Sequence, residues 1–280
     1  LDKKTKTIFA IRKNAPLVCG RSDTGTSKFV SSDPYAVSGL EGVDIDSLFF
    51  PENGVLCELQ EGIESINFYD SNLNETTNYK FEKSFSLGEE ADKGKFEHYM
   101  LKEIFEQPKL VKESLFHYFE NKSAFVGLES ISPSRFVFTA CGTAYYASLV
   151  IRDYLESITN IPAHCEVASE LRYRNPIIQE NDLGVFISQS GETADTLATQ
   201  ELFQKKNIKT LSILNAENST LHRESDFTLL INAGKEIGVA STKAFTMQCL
   251  VGRIFAEYLE NKKMTKNLRK KITLLSERMA

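Results

Sequence analysis

The sequence predicts an α/β protein in which a parallel, doubly wound domain follows a strand-rich antiparallel segment. Two patterns carry this prediction. Short β-branched and aromatic runs, separated by turn residues, fill the first 90 residues, and from Arg135 onward apolar strands alternate with helices. Such alternation is typical of a parallel sheet with helices on both faces.

The first 90 residues contain five predicted strands. Turn formers such as Asn53-Gly54 and Asp70-Ser71-Asn72 separate them. The spacing leaves no room for crossover helices, so antiparallel hairpins are expected. Ser32-Asp33-Pro34 is expected to open one short helix, because proline favours the first helical position. The predicted strands are Thr7–Arg12, Pro16–Cys19, Ser47–Phe50, Gly54–Leu59 and Ser65–Tyr69.

The character of the chain changes near residue 88. A charged stretch with two glycines, residues 88–98, indicates a domain boundary. Helical periodicity begins near Glu97, and Pro108 is expected to interrupt or restart the helix because it lacks a backbone N–H. A second amphipathic segment is expected over Val111–Phe119.

The remainder alternates strand, loop and helix. The predicted strands are Phe136–Ala140, Ala163–Val167, Leu183–Ser188, Lys209–Leu214 and Phe227–Ile231. The predicted helices are Ala144–Ile158, Ser169–Tyr173, Ala194–Lys206 and Thr242–Leu259. Ligands of parallel sheets bind at the carboxyl ends of the strands, so the strand-to-helix loops are the place to search for a site.

Composition excludes several classes of protein. The net charge of −5 argues against a general nucleic-acid binder, and no apolar run approaches the roughly 20 residues that span a bilayer. The five cysteines form no CxxC pair and no Cys/His cluster, so no disulfide framework, metal site or cofactor is expected and a reducing, cytoplasmic setting fits best. The chain opens on Leu1 and ends on a helical pattern, so both ends are expected to be cut from a longer protein.

One strand-to-helix loop predicts a phosphate site. Within six residues it presents three hydroxyls, an amide and a glycine, on Ser188, Gln189, Ser190, Gly191 and Thr193. The free N–H groups and the positive dipole end of the following helix favour an anion at the same place. Helix capping alone needs only one such hydroxyl. The surplus favours phosphate binding over capping.

A second loop is Cys141-Gly142-Thr143, between an apolar strand and an apolar helix. It could be no more than tight packing of helix against strand, with Cys141 as a small buried apolar residue. Backbone that lies next to a ligand is the favoured interpretation. A nucleophilic Cys141 is the alternative. It is disfavoured because the four histidines fall in the linker, a helix, a strand and a short turn rather than in a similarly placed loop.

The third loop opens the longest predicted helix and offers Val239 and Ser241 as ligand contacts. Lys243 lies within the first turn of that helix, where the dipole disfavours a cation that has no partner. We therefore expect Lys243 to be solvated or paired with a protein carboxylate rather than bound to phosphate.

Five segments resemble one enzyme family. Ala140–Thr143, Ser188–Thr196 and Gly238–Thr246 resemble the sugar-isomerase loops of the glucosamine-6-phosphate synthase family, the isomerising glutamine–fructose-6-phosphate aminotransferases. Glu170–Arg174 adds to the match. His98–Pro108, which ends in Glu-Gln-Pro, is more specific to that family than the loops are.

The resemblance implies a domain plan and a ligand. Residues 1–90 would be the C-terminal part of an antiparallel N-terminal-nucleophile glutaminase domain, 91–123 a linker, 124–262 the first sugar-isomerase (SIS) domain, and 263–280 the start of a linker to a second one. Fructose 6-phosphate would occupy the three loops. Its phosphate would contact Ser188, Gln189, Ser190 and Thr193. Its sugar would contact Cys141, Gly142, Thr143, Val239 and Ser241.

The resemblance assigns no catalytic residue to this chain. The family's nucleophilic cysteine, Schiff-base lysine and proton-transferring residues have no counterpart here, so binding without turnover is expected, with glutamine used only by the full-length protein. Ala144 replaces a serine that the family usually has, and residues 34–52 match poorly. The family forms homodimers. The alternatives are a non-catalytic sugar-phosphate sensor and, ranked lower, a related isomerase without a glutaminase part.

Overall fold

A computed structural model gives the structure of the chain, which divides into two compact units, Leu1–Ala91 and Asp92–Ala280. The described residues are 1–13, 17–22, 27–32, 45–83, 93–120, 122–217 and 219–280. The short helix predicted at Ser32-Asp33-Pro34 lies almost entirely outside these residues.

The first unit is built from antiparallel strands. They are β1 Thr7–Ile11, β2 Val18–Ser22, β3 Lys28–Ser31, β4 Ile45–Pro51, β5 Leu56–Gln60, β6 Asn67–Tyr69 and β7 Tyr79–Lys83. They form a three-stranded sheet in the order β1-β5-β6 and a four-stranded sheet in the order β3-β2-β4-β7. Every pairing among them is antiparallel, as predicted.

Two strands of the first unit were not predicted. β3 has no fully buried residue, so it lacks the apolar alternation that marks a strand in a sequence. β7 has the sequence YKFEK, which is short and highly charged. β5 shows the expected pattern, because Cys57 and Leu59 are buried and their neighbours are only half-buried.

The second unit is organised around a five-stranded sheet. Its strands are β8 Arg135–Ala140, β9 Ala163–Val167, β10 Asp182–Ser188, β11 Thr210–Leu214 and β12 Phe227–Leu230. The order is β12-β11-β10-β8-β9, and all four pairings are parallel, which confirms the predicted parallel sheet. All seven residues of the central strand β10 are buried.

Helices cover both faces of this sheet, as predicted. They are α1 Tyr99–Glu120, α2 Gly142–Thr159, α3 Ala168–Leu171, α4 Ala194–Gln204, α5 Thr220–Glu224, α6 Lys243–Asn261 and α7 Lys266–Met279, with 3₁₀ turns at Lys122–Phe125 and Leu128–Ser130. The sheet has a hydrophobic core on each face, and alternate residues of β10 point into one or the other. Val185 and Ile187 lie in the core that α1, α2, α6 and α7 cover. Phe186 lies in the core that α3, α4 and α5 cover.

The prediction that Pro108 interrupts the first helix was wrong. α1 is continuous over 22 residues and contains Pro108. The proline removes one intrahelical hydrogen bond. Packing offsets that loss, because Val111 and Leu115 are buried in the core and Ser276 of α7 donates a hydrogen bond of 2.8 Å to the carbonyl of Pro108.

None of the helices in the described part of the chain is both long enough and apolar enough to cross a bilayer.

Candidate functional site

Two of the predicted loops leave the sheet side by side. In the parallel pairing of β8 with β10, Thr139 lies opposite Phe186. The next residues of each strand therefore reach the carboxyl edge together, which brings Cys141 next to Ser188 across a strand spacing of about 4.8 Å. The sheet register alone places the Cys141–Thr143 loop beside the phosphate loop.

Ser188 organises the phosphate loop from inside. Its hydroxyl accepts a hydrogen bond of 3.0 Å from the backbone N–H of Gly191 and lies 3.1 Å from the hydroxyl of Thr193. Its side chain is buried, whereas Ser190 is exposed. Ser190 accepts a hydrogen bond of 3.2 Å from the N–H of Glu192 and still faces solvent.

Gly191 allows the loop to pack against α5. Its φ of +67° lies in the left-handed region, and a Cβ there would stand 2.0 Å from the hydroxyl oxygen of Ser219. Its carbonyl accepts the N–H of Leu221 at 3.0 Å, and the adjacent Glu192 carboxylate accepts the N–H of Thr220 at 2.7 Å. The loop is therefore anchored at its base.

Two helix N-termini open at this edge without side-chain caps. Cys141 is the N-cap of α2 and Thr193 the N-cap of α4, and in this described region neither side chain accepts a hydrogen bond from its helix. Gly142 has a φ of +56°, and the space where a Cβ would stand is open for 4 Å. Thr143 is exposed. The amides of both first turns are thus available to an anion.

Charge near the α4 N-terminus is balanced by an ion pair. Asp195 lies in the first turn of α4, where its carboxylate would repel an anionic ligand. Arg172 lies 2.5 Å from it, just after α3. The cation of Arg172 thus offsets the repulsion that Asp195 would exert on an anion, and the helix dipole favours negative charge at the same place.

Asn215 connects the phosphate loop to the segment before the third loop, and the sequence did not predict this role. Its N–H donates to the carbonyl of Gln189 at 3.3 Å. Its side-chain oxygen accepts the N–H of Ala233 at 2.8 Å, and its amide nitrogen donates to the carbonyl of Gly234 at 2.7 Å. One residue after β11 thereby links the phosphate loop, through its backbone, to the segment that leads into the third loop, through its side chain.

Glu236, also missed, caps α6. Its carboxylate accepts the N–H groups of Thr242 at 2.8 Å and Ala244 at 3.2 Å, and the hydroxyl of Ser241 at 2.9 Å. Ser241 is therefore held by a protein carboxylate, and the α6 N-terminus is already neutralised. Val239 stands fully exposed at the tip of the loop.

Lys243 is structurally paired, as expected. Its ammonium group lies 2.7 Å from the carboxylate of Glu106 on α1, and its side chain is only 5% exposed. Thr246 donates a hydrogen bond of 2.8 Å to Gln107. The Glu-Gln of the Glu-Gln-Pro segment thus anchors the first turn of α6.

A cleft of about 370 Å³ lies elsewhere, beside β9 and the segment after α3. Both arginines that line it are already paired, since Arg174 lies 2.7 Å from Glu166 and Arg135 lies 2.5 Å from the buried Asp182. The cleft therefore offers an anion fewer unpaired positive groups and donors than the uncapped helix N-termini do. Within the described residues, no three His, Cys, Asp or Glu side chains cluster as metal ligands.

The part of the chain that carries the five-stranded sheet matches a known domain family. Residues 131–258 match the SIS domain family. This is the domain that the resemblance of the three loops predicted.

Relatives narrow the class further. The chain is 40% identical over 246 residues to the isomerising glutamine–fructose-6-phosphate aminotransferase of Bartonella henselae, covering 86% of this chain and 39% of that protein. It is 36% identical over 279 residues to the enzyme of the same name from Caldanaerobacter subterraneus, covering 96% of this chain and 44% of that protein. Most of this chain is thus homologous to these enzymes, and it spans less than half of their length.

A solved structure agrees with this relationship. The C-terminal domain of glucosamine-fructose-6-phosphate aminotransferase from Francisella tularensis has a TM-score of 0.57 and 36% identity to the chain. The match covers 68% of this chain and 55% of that one.

Proposed function

We propose that this chain is the sugar-phosphate-binding segment of an isomerising glutamine–fructose-6-phosphate aminotransferase, an enzyme that makes glucosamine 6-phosphate from fructose 6-phosphate and glutamine. One observation carries the proposal. The Ser188–Thr193 loop leaves the central strand of the sheet between two helix N-termini whose N-cap side chains leave the backbone donors free. The relatives' names supply the reaction.

The phosphate binds to the loop after β10. Ser190, Gln189 and Thr193 supply polar side chains, and the first turn of α4 supplies N–H donors. Ser188 contributes from below, because its hydroxyl fixes the N–H of Gly191 and the hydroxyl of Thr193 in place. A phosphate dianion gains from these donors without a cationic partner, since the dipole of α4 favours negative charge there.

The sugar lies between the other two loops. Cys141, Gly142 and Thr143 approach it from the α2 side, and Val239 and Ser241 from the α6 side. These residues bind and orient the substrate. The amine that forms a Schiff base and the groups that move protons are supplied by other parts of the whole protein, so this chain contains no catalytic residue.

The first unit is proposed to be the C-terminal part of a glutaminase domain. Its antiparallel sheets suit that assignment, and the alignment with the Caldanaerobacter relative, at 96% of the chain, extends into it. The whole protein is then a cytoplasmic homodimer that releases ammonia from glutamine, and it has no nucleic-acid or membrane partner.

A thermal shift titration tests the proposal. Fructose 6-phosphate and glucosamine 6-phosphate should each raise the melting temperature of the chain, whereas fructose should not. Ser190→Ala should weaken the effect, and Ser157→Ala, which removes an exposed hydroxyl at the far end of α2, should not. The chain supplied with glutamine and fructose 6-phosphate should form no glucosamine 6-phosphate. Turnover, or an equal response to fructose, would contradict the assignment.

A further inference from the structure

A buried carboxylate on α1 supports the third loop from beneath. Glu103 is only 3% exposed. One of its oxygens accepts two backbone hydrogen bonds, from the N–H of Ile237 at 2.5 Å and from the N–H of Gly238 at 3.0 Å. Bonds of this kind to an ionised acceptor are about twice as strong as neutral ones. They fix the backbone of Ile237 and Gly238, the two residues that precede the exposed Val239.

The second oxygen of Glu103 explains why position 238 is a glycine. That oxygen is buried and, within the described residues, accepts no hydrogen bond. A Cβ on residue 238 would stand 2.5 Å from it and 3.3 Å from the Cα of Met100. Only a glycine lets the loop backbone come this close to α1. Burying a carboxylate with one unpaired oxygen costs free energy. Stabilisation of α1 alone therefore does not explain why Glu103 is buried here.

The same face of α1 holds the other end of the loop. Glu106 and Gln107 follow Glu103 by three and four positions, which places all three on one side of the helix. Glu106 pairs with Lys243 at 2.7 Å, and Gln107 accepts the hydroxyl of Thr246 at 2.8 Å. Residues 237–246 are therefore clamped at both ends by α1, with the tip left free.

We propose that Glu103 is a positioning residue for the sugar half of the site. By fixing the amides of Ile237 and Gly238, it sets where Val239 and Ser241 stand relative to the phosphate loop. The hydrogen bonds that Glu103, Glu106 and Gln107 accept all come from residues 237–246, which lie outside the Ser188–Thr193 loop. Glu103 therefore governs affinity for the hexose part of the ligand and not for its phosphate. This inference rests on the proposed function.

Three variants of the whole chain test the proposal. Glu103→Ala removes the acceptor, and Glu103→Gln keeps one oxygen that can accept both amides. Glu113→Ala is the matched control, because Glu113 lies exposed on the same helix and forms an ion pair with Lys109. Isothermal titration calorimetry measures affinity for fructose 6-phosphate and for inorganic phosphate. Amide hydrogen exchange measures the loop without ligand.

Glu103→Ala should speed exchange at Ile237 and Gly238 by about tenfold or more, as expected for the loss of charge-assisted bonds. It should weaken fructose 6-phosphate binding by a similar factor and change phosphate binding less than about twofold. Glu103→Gln should fall between Glu103→Ala and the unchanged chain, and Glu113→Ala should match the unchanged chain.

Each contrary result has a distinct meaning. Unchanged exchange at residues 237 and 238 would overturn the positioning role, and so would equal losses of affinity for both ligands, which indicate general destabilisation. If the unchanged chain binds no fructose 6-phosphate while Glu103→Ala still frees the two amides, the proposed function fails and the contact is structural only. Should Glu103→Ala not fold, Gly238→Ala must produce the same selective loss for the hexose, or the proposal is wrong.

Discussion

Ser188→Ala tests whether Ser188 stabilises the phosphate loop from inside, a role distinct from direct contact with a ligand. The buried N–H of Gly191 would lose its acceptor at 3.0 Å, and the hydroxyl of Thr193 would lose its neighbour at 3.1 Å. A buried donor left unpaired costs about 1–3 kcal/mol. The half-buried Thr193 can turn to water, so it adds little to that cost. For a domain of this size, each kcal/mol lowers the melting temperature by about 2–4 °C.

Ser190→Ala is the matched comparison. Ser190 is exposed and accepts one N–H at the surface, so its loss should change the free energy of unfolding by less than about 0.5 kcal/mol. The chain has no Trp and 10 Tyr, so urea denaturation is followed by far-ultraviolet circular dichroism and tyrosine fluorescence. Ser188→Ala should unfold at lower urea and Ser190→Ala should not, whereas both should weaken sugar-phosphate binding. Equal midpoints would refute the division of roles.

Three further changes have defined outcomes. Glu236→Ala removes the cap of α6 and should lower the free energy of unfolding in urea by about 1–2 kcal/mol. Arg135→Ala leaves the fully buried carboxylate of Asp182 without its cation and should cost about 2–4 kcal/mol by the same measurement. Burial acts to raise the pKa of Asp226, but hydrogen bonds from Lys209 and a neighbouring threonine outweigh it and lower the pKa. Asp226 therefore stabilises the fold above its unfolded pKa of about 3.9 and loses this effect as pH falls through the lower folded value. Asp226→Asn should destabilise the chain at pH 7, and its difference from the unchanged chain should shrink as the pH falls below about 3.9.

The second unit could be predicted closely because its strands are apolar runs bounded by loops. β9 has the predicted bounds, and β10 begins one residue earlier than predicted. Helix α1 differs because its continuity through Pro108 depends on tertiary packing, which no local pattern records. β3 was missed for a related reason, since its residues are only half-buried.

The candidate site divides in the same way. The phosphate loop could be predicted because its hydroxyls are contiguous in the sequence. The residues that position the loops could not, because their partners are distant along the chain. Glu103 lies 135 positions from Gly238. Asn215 forms hydrogen bonds to Gln189 and to Ala233, and Ala233 is 18 positions away. A pair of residues that meet only in the fold leaves no signal in a single sequence.

The proposed function requires that a hexose 6-phosphate binds at the three loops. Hydrogen exchange of the chain with and without fructose 6-phosphate measures this location. We expect protection at the amides of residues 188–196 and 141–145, with smaller protection at 237–242. Protection confined to residues 174–178, beside the cleft next to β9, or no protection at saturating ligand, would contradict the account.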